Sequence, residues 1–464
     1  MPALELFIKG TTNKIIIMIG KQRKLLPRFI TLRILGLIFA FILSIKLLSA
    51  CSHQQDQPKP LVTLSFVVTQ RESQYWRPLL KQFNDNNRDI LIEIANAAEN
   101  NLENPDKSDD LKEIYISEFN KQQPKYDLIY MDIIWVPEFA DKKLLMDLTE
   151  YFPEKELKGF ITSEVDAGRF KNKLYRIPFR SDVGVLFYRK DWLDELKIEL
   201  PEKLTFDHLM EISELVKQKK KDIPYGYLWQ GKPSEAMTAM FVEVLDSYGG
   251  FWINGNEVGL DKLEAIKAIK FLRDTIKKDI SPKNFINNEE RTTHSMFTNN
   301  EAVFLRNWPD VWRDINGSES DFPSNIAIKP VVHPQKKESY ASCKGGWGFG
   351  IAEKSPHKKE ALKAIKFLTS AASQQKFTLA YASVPSRENL FYDPKIVAKY
   401  SYYPDLLKIV ENSVSRPAIP KYTKASEILR KHLSEALKIE NDDYTKEMEK
   451  AAQETRELFK NPTT

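Results

Sequence analysis

Residues 61–94 read LVTLSFVVTQRESQYWRPLLKQFNDNNRDILIEI, and this stretch decides the fold. Within Leu61–Val68 every second residue is apolar, which is the period of a β-strand. Apolar and aromatic side chains then recur at helical spacing, on one stripe formed by Tyr75, Trp76, Leu79, Leu80 and Phe83. Ile90–Ile94 is a second apolar run of strand type. The stretch therefore predicts a strand, a helix and a strand in succession.

The same alternation continues along the chain. Tyr126–Ile134 (YDLIYMDII) is predicted as a third strand, and Val183–Tyr188 as a strand that follows Pro178. A helix is predicted from about Thr205, whose side chain suits an N-cap. Strands that alternate with helices favour right-handed crossovers and a mostly parallel sheet, so the predicted class is α/β.

Two later segments nearly repeat each other, EAIKAIKFL at Glu264–Leu272 and EALKAIKFL at Glu360–Leu368. Because a duplication would extend further, we interpret them as two amphipathic helices with similar demands. Asp261 is the predicted cap of the first, and Ser355-Pro356 supplies a cap and a first-turn proline to the second. From Lys424 onward, apolar and charged residues follow a helical period, which predicts C-terminal surface helices.

The N-terminal segment has the order of a secretory signal. An uncharged run, Ile34–Ile45, follows a basic region that contains Lys21, Arg23, Lys24, Arg28 and Arg33. This run is shorter than the ~20 residues that a membrane-spanning helix needs. Leu48-Ser49-Ala50-Cys51 then resembles the bacterial lipobox, in which the cysteine is acylated and the chain is cut before it.

We therefore expect residues 1–50 to be a lipoprotein signal peptide, Cys51 to carry lipid, and residues 51–60 to form a polar tether. The alternative is an uncleaved anchor helix with an incidental cysteine. Ile15–Ile19 does not fit a signal peptide, so Met18 is a candidate start besides Met1. The predicted location is the extracytoplasmic (periplasmic) face of the cell membrane.

Size, charge and cysteine content narrow the possible functions. Without the signal, about 410 residues remain, which suits two lobes better than one core. The formal net charge of +5 lies partly in the signal, and the nearly balanced remainder argues against nucleic acid as a partner. The six histidines show no HExxH spacing, and no GxSxG elbow or Walker loop occurs, so we expect no metal, no cofactor and no catalytic residue. Cys343 has no disulfide partner if Cys51 is acylated.

Seven segments of the chain resemble those of a known family. They are YWRPLLKQFND (Tyr75–Asp85), YDLIYMDIIWVPEFADKKLLMDLTEYF (Tyr126–Phe152), LYRIPFRSDVGVLFYRKDWL (Leu174–Leu193), FLRNWPDVW (Phe304–Trp312), GGWGFGI (Gly345–Ile351), SPHKKEALKAIKFLTSAASQQ (Ser355–Gln375) and RPAIPKYTKASEIL (Arg416–Leu429). In this order, behind a lipobox, they resemble the extracellular solute-binding proteins of ABC importers. Within the carbohydrate-binding branch they are most similar to trehalose/maltose-type receptors.

The resemblance implies a two-lobed periplasmic-binding-protein fold of type II, with hinge strands between the lobes and a ligand cleft. It places residues 61–182 and 307–370 in lobe 1, and residues 183–306 and 371–464 in lobe 2. It also implies a monomeric, lipid-anchored receptor without chemistry of its own. Such a receptor captures a di- or oligosaccharide, or a related glycoside, and delivers it to the transmembrane subunits of an ABC permease.

Sugars offer a face of C–H groups and a rim of hydroxyls, so aromatic rings and planar charged groups recognise them. Four tryptophans at the ends of predicted elements are candidates: Trp135, Trp252, Trp308 and Trp347. The resemblance supports Trp308 and Trp347, because the family places a stacking aromatic at such NWP and GGW motifs. Each tryptophan has the alternative role of a plain core residue.

Charged and glycine residues complete the predicted site. Asp132 ends an apolar strand, and Glu72 is expected in a loop after the first strand, where α/β sheets gather ligands. By resemblance, Asp182 matches an aspartate that binds sugar hydroxyls, and Arg416 matches a cleft arginine. Gly346, with Gly345, lets the backbone approach a ligand or forms a turn.

Two other functions remain open at this point. A glycoside hydrolase would use Asp132 and Asp182 as its acid and base pair. A receptor for another solute, such as a polyamine, a peptide or an anion, is the other alternative. Polyamine sites need more acidic residues than these aromatic-rich candidates supply.

Overall fold

The computed structural model describes residues 61–95, 107–122, 124–315, 326–334 and 339–460. The predicted signal peptide, Cys51 and the tether lie outside the described residues. The strands are β1 (Val62–Phe66), β2 (Ile90–Ile94), β3 (Leu128–Asp132), β4 (Arg169–Phe170), β5 (Lys173–Leu174), β6 (Ile177–Arg180), β7 (Val185–Arg189), β8 (Tyr225–Leu228), β9 (Ile253–Asn254), β10 (Glu257–Val258), β11 (Ala302–Asn307), β12 (Ile326–Pro330) and β13 (Trp347–Ile351).

The helices are α1 (Gln70–Asn86), α2 (Ser108–Phe119), α3 (Val136–Asp141), α4 (Glu154–Leu157), α5 (Thr162–Asp166), α6 (Lys190–Leu196), α7 (Phe206–Lys219), α8 (Glu235–Ser247), α9 (Leu263–Lys277), α10 (Glu290–Thr298), α11 (Trp312–Ile315), α12 (Lys358–Leu368), α13 (Ala371–Tyr381), α14 (Pro394–Lys399), α15 (Tyr403–Glu411), α16 (Tyr422–Leu437) and α17 (Tyr444–Lys460). Short 3-10 turns occupy Ile133–Trp135, Phe285–Asn287, Pro309–Val311 and Glu388–Tyr392.

The predicted strand, helix and strand at the start of the described chain are confirmed. β1 and β2 pair in parallel, from Val62 opposite Ile90 to Phe66 opposite Ile94. The apolar stripe of α1 is buried except for Tyr75, which is half-buried. Trp76 packs against aromatic rings of the core, with Phe179 at a centroid distance of 4.6 Å. Glu72 lies in the first turn of α1 and not in the predicted loop, because the helix already begins at Gln70.

Two larger sheets hold seven of the remaining strands, while β4 with β5 and β9 with β10 form two-stranded antiparallel sheets. In the first, β13 runs antiparallel between β3 and β6. In the second, the order is β12, β7, β11 and β8, and only the β11–β8 pair is parallel. The predicted mostly parallel sheet is therefore wrong, since β1–β2 and β11–β8 are the only parallel pairs among the strands described. Alternation along one strand reveals which face is buried, but it does not reveal the direction of a neighbour from a distant part of the chain.

Strand pairing and helix packing disagree with two of the predicted lobe assignments. β12 pairs with β7 in the second sheet, although residues 307–370 were assigned to lobe 1. α13 packs on α1, with Trp76 and Phe377 at a ring-centroid distance of 4.6 Å, although residues 371–464 were assigned to lobe 2. An amphipathic pattern shows that a helix has a buried face but not which element covers it. The other boundaries stay predictions.

The helix starts follow the sequence in part. Thr205 caps α7 as predicted, because its Oγ1 accepts a hydrogen bond from the backbone N–H of His208 at 3.3 Å. Asp261 does not cap α9, since Lys262 occupies the N-cap position, and the Asp261 carboxylate instead pairs with Arg456 at 2.8 Å. Ser355 lies before α12 and accepts from the N–H of His357 at 3.1 Å, so the helix itself begins only at Lys358. The two near-copies lie within α9 and α12, as separate helices.

Candidate functional site

A cavity of about 110 Å³ opens where strand ends of the two larger sheets meet. Among the described residues, the lining consists of Thr69, Arg71, Glu72, Lys107, Ser108, Asp109, Asp132, Arg180, Asp182, Ser234, Glu235, Ala236, Glu290, Trp308, Asp310, Gly345, Gly346, Trp347 and Arg416. Seven of the nine predicted ligand-binding residues are among them: Glu72, Asp132, Asp182, Trp308, Gly346, Trp347 and Arg416.

Strand register brings three of the lining residues together. Trp347 begins β13 and lies opposite Asp132 of β3 and Arg180 of β6. Asp132 and Arg180 end their strands, and Trp308 directly follows the last residue of β11. Ligand sites of α/β proteins form at such strand ends, where backbone and side chains are free of the sheet.

Gly346 lies where the backbone leaves no room for a side chain. Its φ of +140° is in the region that favours glycine, and an added Cβ would lie 2.9 Å from the carbonyl oxygen of Arg180. Its own carbonyl accepts from the N–H of Ile133 at 2.9 Å. The neighbouring Gly345 donates its N–H to the carbonyl of Asp182 at 2.7 Å. The glycine pair thus draws β13 against the loop that carries Asp182.

We name one end of the cavity the acidic end, formed by Glu72, Asp182, Glu290 and Asp310. Arg180 lies between two of these carboxylates, with Nη2 2.9 Å from Glu72 Oε1 and Nε 3.4 Å from Asp182 Oδ2. Arg71 Nη2 lies 3.2 Å from Asp310 Oδ2. Glu290 Oε1 accepts a hydrogen bond from the indole Nε1 of Trp308 at 2.7 Å.

Burial raises the pKa of Asp182 to about 7, because a charged carboxylate loses its hydration in this position. Arg180 opposes the shift, whereas the negative charges of Asp310, Glu72 and Glu164 add to it. Asp182 therefore changes its charge near neutral pH, in contrast to an ordinary aspartate.

We name the opposite end the Arg416 end. Arg416 Nη1 lies 3.1 Å from Glu235 Oε2, and its Nη2 lies 3.6 Å from Asp132 Oδ1. Asp132 also accepts from the hydroxyl of Ser108 at 2.8 Å. Asp109 pairs with Arg430 of α16 at 2.9 Å. Three carboxylates therefore meet two guanidinium groups at this end.

The two tryptophans of the cavity differ in their surroundings. Trp347 is only 7% exposed and packs on Tyr130, with ring centroids 5.0 Å apart. Trp308 is half-buried, and the guanidinium of Arg306 lies 4.4 Å from its ring centroid. Arg306 is itself held by Glu243 through two hydrogen bonds of 2.8 Å. Both rings therefore have fixed positions, which suits groups that orient a ligand.

Trp135 and Trp252 are not at the cavity, contrary to the sequence prediction. Trp135 is 1% exposed and packs against Phe139 at 5.8 Å and, edge-on, against Trp347 at 5.3 Å. Trp252 is 3% exposed and lies against Tyr422 at 5.8 Å. A position at the end of an element does not determine whether an indole faces a cavity or the core, and burial of this large apolar ring favours the core.

The sequence prediction missed most of the polar lining. Arg180 lies in a segment already singled out, two residues before Asp182. Others begin helices: Glu235 opens α8 and Glu290 opens α10. Acidic residues in a first helical turn are the available signal, but such residues are common there because they suit the helix dipole.

The described residues offer hydrogen-bonding groups and ring faces to a ligand. Cys343 is fully buried, and burial raises the pKa of its thiol to about 12. Within the described ranges, no group of His, Cys, Asp and Glu is arranged to hold a metal ion. In the same part of the chain, no helix is both long and apolar enough to span a membrane.

The strand order and the cavity define a two-lobed α/β binding protein of type II. The family described as bacterial extracellular solute-binding protein matches residues 69–375, and this chain belongs to it. The predicted fold class and family are confirmed.

Relatives of this chain include a probable ABC transporter-binding protein of Deinococcus radiodurans, 24% identical over 70% of this chain and 77% of the relative. A maltotriose-binding protein of Pyrococcus abyssi is 26% identical over 56% of this chain and 55% of its own length. A lactose-binding protein of Rhizobium radiobacter is 31% identical over 50% and 54%. This chain therefore spans about half the length of the latter two.

Solved structures share the fold across the described chain. Maltose-bound MalE3 of T. maritima has a TM-score of 0.77 and 29% identity, covering 86% of this chain and 99% of that one. A solute-binding protein of Agrobacterium radiobacter in complex with ribitol has a TM-score of 0.75 and 21% identity, covering 87% and 100%.

Proposed function

We propose that this protein is the extracytoplasmic substrate-binding subunit of an ABC importer. It captures a di- or oligosaccharide, or a related glycoside, and delivers it to the permease. The observation that carries the proposal is one cavity that combines Trp308 and Trp347 with carboxylates and guanidinium groups at both ends. Ring faces suit the C–H face of a sugar, and planar charged groups suit its paired hydroxyls.

The relatives favour a sugar as the ligand. The matched proteins from Pyrococcus abyssi and Rhizobium radiobacter are named for maltotriose and lactose, and the T. maritima structure holds maltose. A more distant structural neighbour, 15% identical, is described with glycerophosphocholine, so related proteins of this fold differ in ligand.

Calorimetry of the purified protein against disaccharides, polyols, a polyamine and a peptide tests this function. We expect saturable heat with at least one disaccharide. Binding of only a polyamine or a peptide would replace the sugar with another solute class. Folded protein that binds none of these compounds would contradict the proposal.

The proposed receptor has no chemistry of its own. Asp132 is held by Arg416 and Ser108, and Asp182 by Arg180, so both carboxylates are engaged with neighbouring side chains. Incubation with labelled disaccharides should therefore yield no new products. Release of monosaccharides, lost in Asp182→Asn, would instead identify a glycosidase.

The proposed anchor is the lipid on Cys51, after cleavage of residues 1–50. Each buried methylene adds ~0.8 kcal/mol, so several acyl chains hold a protein to the membrane effectively permanently. Cys51→Ala should leave the precursor uncut or release the protein into the soluble fraction. Fractionation and mass determination measure these two effects. Normal processing and membrane retention of this variant would exclude the lipid anchor. We expect the released protein to be a monomer.

A further inference from the structure

The charges around the cavity are unevenly distributed. The described lining residues include seven carboxylates but only four basic side chains. At the Arg416 end the imbalance is small, because Arg430 reaches Asp109 from α16 and three carboxylates there meet two guanidinium groups. The larger excess of negative charge lies at the acidic end, where four carboxylates face the guanidinium groups of Arg71 and Arg180. The remaining basic lining residue, Lys107, pairs at 3.6 Å with Glu289, which is outside the lining.

The two arginines of the acidic end are already engaged. Arg180 is shared between Glu72 and Asp182, and Arg71 pairs with Asp310. Glu290 accepts its hydrogen bond from the neutral indole of Trp308. Like charges that are partly withdrawn from water repel each other, so a cationic group at this end would be favoured.

A second observation also points to a ligand at this end. Thr69 precedes α1, and the carbonyl of Thr69 accepts from the N–H of Glu72 at 3.1 Å. The residue is 9% exposed and lines the cavity, yet its Oγ1 has no hydrogen-bond partner among the described residues. Because a buried hydroxyl without a partner is costly, a ligand group that bonds to Thr69 would stabilise the complex.

We propose that the cavity takes an amino sugar, whose ammonium group lies at the acidic end while its rings lie against Trp308 and Trp347. This inference rests on the proposed sugar-binding function and narrows its ligand class. The two indoles favour a ring-shaped ligand over a linear polyamine, which has no face to stack. A bare divalent cation is not favoured, because no group of acidic residues in the described part is arranged to hold one.

The ionisation of Asp182 adds a second signature. Arg180, Asp310, Glu72 and Glu164 surround this carboxyl, and its pKa is raised to about 7. An ammonium group beside it would lower that pKa and so expel a proton at neutral pH. The heat of binding should then depend on the ionisation enthalpy of the buffer.

The test is calorimetry at neutral pH with spermidine and with maltose, trehalose and cellobiose, each sugar beside its 2-amino and 6-amino derivatives. At least one amino derivative should bind about tenfold more tightly than its parent, a factor that corresponds to ~1.4 kcal/mol. This preference should weaken as the salt concentration rises. It should also disappear in Glu290→Gln, which keeps an acceptor for the Trp308 indole but removes the charge. The preference should also disappear in Asp182→Asn. It should persist in Glu353→Gln, which changes an exposed carboxylate.

The outcomes separate the two proposals. If neutral disaccharides bind and no amino derivative is preferred, the amino-sugar proposal is overturned and the sugar receptor stands. If the preference persists in both Glu290→Gln and Asp182→Asn, the ammonium is not at the acidic end and the proposal also fails. If folded protein binds no sugar, amino or neutral, or prefers spermidine to all of them, both proposals fail.

Discussion

Trp347 combines two roles that the sequence presents as alternatives. Its ring lines the cavity, and it is also packed on Tyr130 and Trp135 in the core. A residue of this kind links the stability of the ligand-free protein to the shape of its ligand-binding cavity. Its replacement should therefore affect both properties.

We expect Trp347→Ala to lower the free energy of unfolding of the ligand-free protein by ~3–5 kcal/mol, because truncation of a buried tryptophan leaves a cavity. It should also weaken sugar binding by ~1–3 kcal/mol, by analogy with aromatic platforms that stack on bases. Denaturation midpoints and calorimetric Kd values measure the two effects. Trp252→Ala is the matched control, since Trp252 is buried away from the cavity and should change stability alone. Unchanged affinity in a folded Trp347→Ala protein would exclude its contact with the ligand.

The ionisation of Asp182 should make the ligand-free protein less stable at higher pH. Its pKa is raised from 3.8 to about 7, so the folded state holds the proton more tightly than the unfolded state does. The resulting stability is fully present below about pH 4 and is lost as the pH rises through about 7. Other carboxyls, such as Glu164, whose pKa is also raised by burial, add to the same trend.

The check is chemical denaturation without ligand at about pH 5 and about pH 8. Asp182→Asn should lose less stability between these two conditions than the unmodified protein, because the amide does not ionise. Glu353→Gln, at an exposed position, serves as the control. An identical pH dependence in Asp182→Asn and the unmodified protein would show that this carboxyl does not titrate in that range.

At the scale of elements, the contact between α2 and α16 borders the Arg416 end. Asp109 and Lys112 lie on α2, and Arg430 and Thr423 lie on α16. Arg430 pairs with Asp109 at 2.9 Å, while Glu138 receives hydrogen bonds from both Lys112 and Thr423. The side chains of Asp109 and Arg430 are 35% and 12% exposed, so water screens this pair only in part.

Because Asp109 lines the cavity and Arg430 does not, the pair connects the ligand site to the packing of α16. In a double-mutant cycle of Asp109→Ala and Arg430→Ala, we expect a coupling on the order of 1 kcal/mol in the free energy of sugar binding. The matched control cycle uses Lys81 and Asp85, an exposed pair on α1. Additive effects at the first pair would mean that the contact does not influence binding.

At the scale of the whole molecule, the two-lobed fold predicts that ligand binding is coupled to closure about the hinge strands. Saturating disaccharide should reduce the radius of gyration in solution scattering. It should also raise Tm, because binding adds ~2.7 kcal/mol to stability at a hundredfold excess over Kd. Tight binding with an unchanged scattering curve would contradict closure. A sugar shown not to bind serves as the control for solvent effects.

The local sequence determined several secondary-structure elements of this protein and several of its candidate site residues. The period-2 alternation of Leu61–Val68 and the helical stripe from Tyr75 to Phe83 specify a strand and a helix because each must bury one face. Asp132, at the end of an apolar strand, could be assigned to a ligand site from the local sequence, whereas Asp182 was assigned by resemblance to the family. Both line the cavity. The resemblance of the NWP and GGW segments to the family selected Trp308 and Trp347 as candidate stacking residues.

Only the tertiary structure decided how these pieces combine. The antiparallel register that sets Trp347 beside Asp132 and Arg180 joins strands separated by long stretches of chain. The burial of Trp135 and Trp252, and the gathering of four carboxylates at the acidic end, likewise depend on partners that are remote in sequence. Periodicity reports on the faces of one element, whereas charge balance and exposure arise from side chains of many elements packed in three dimensions.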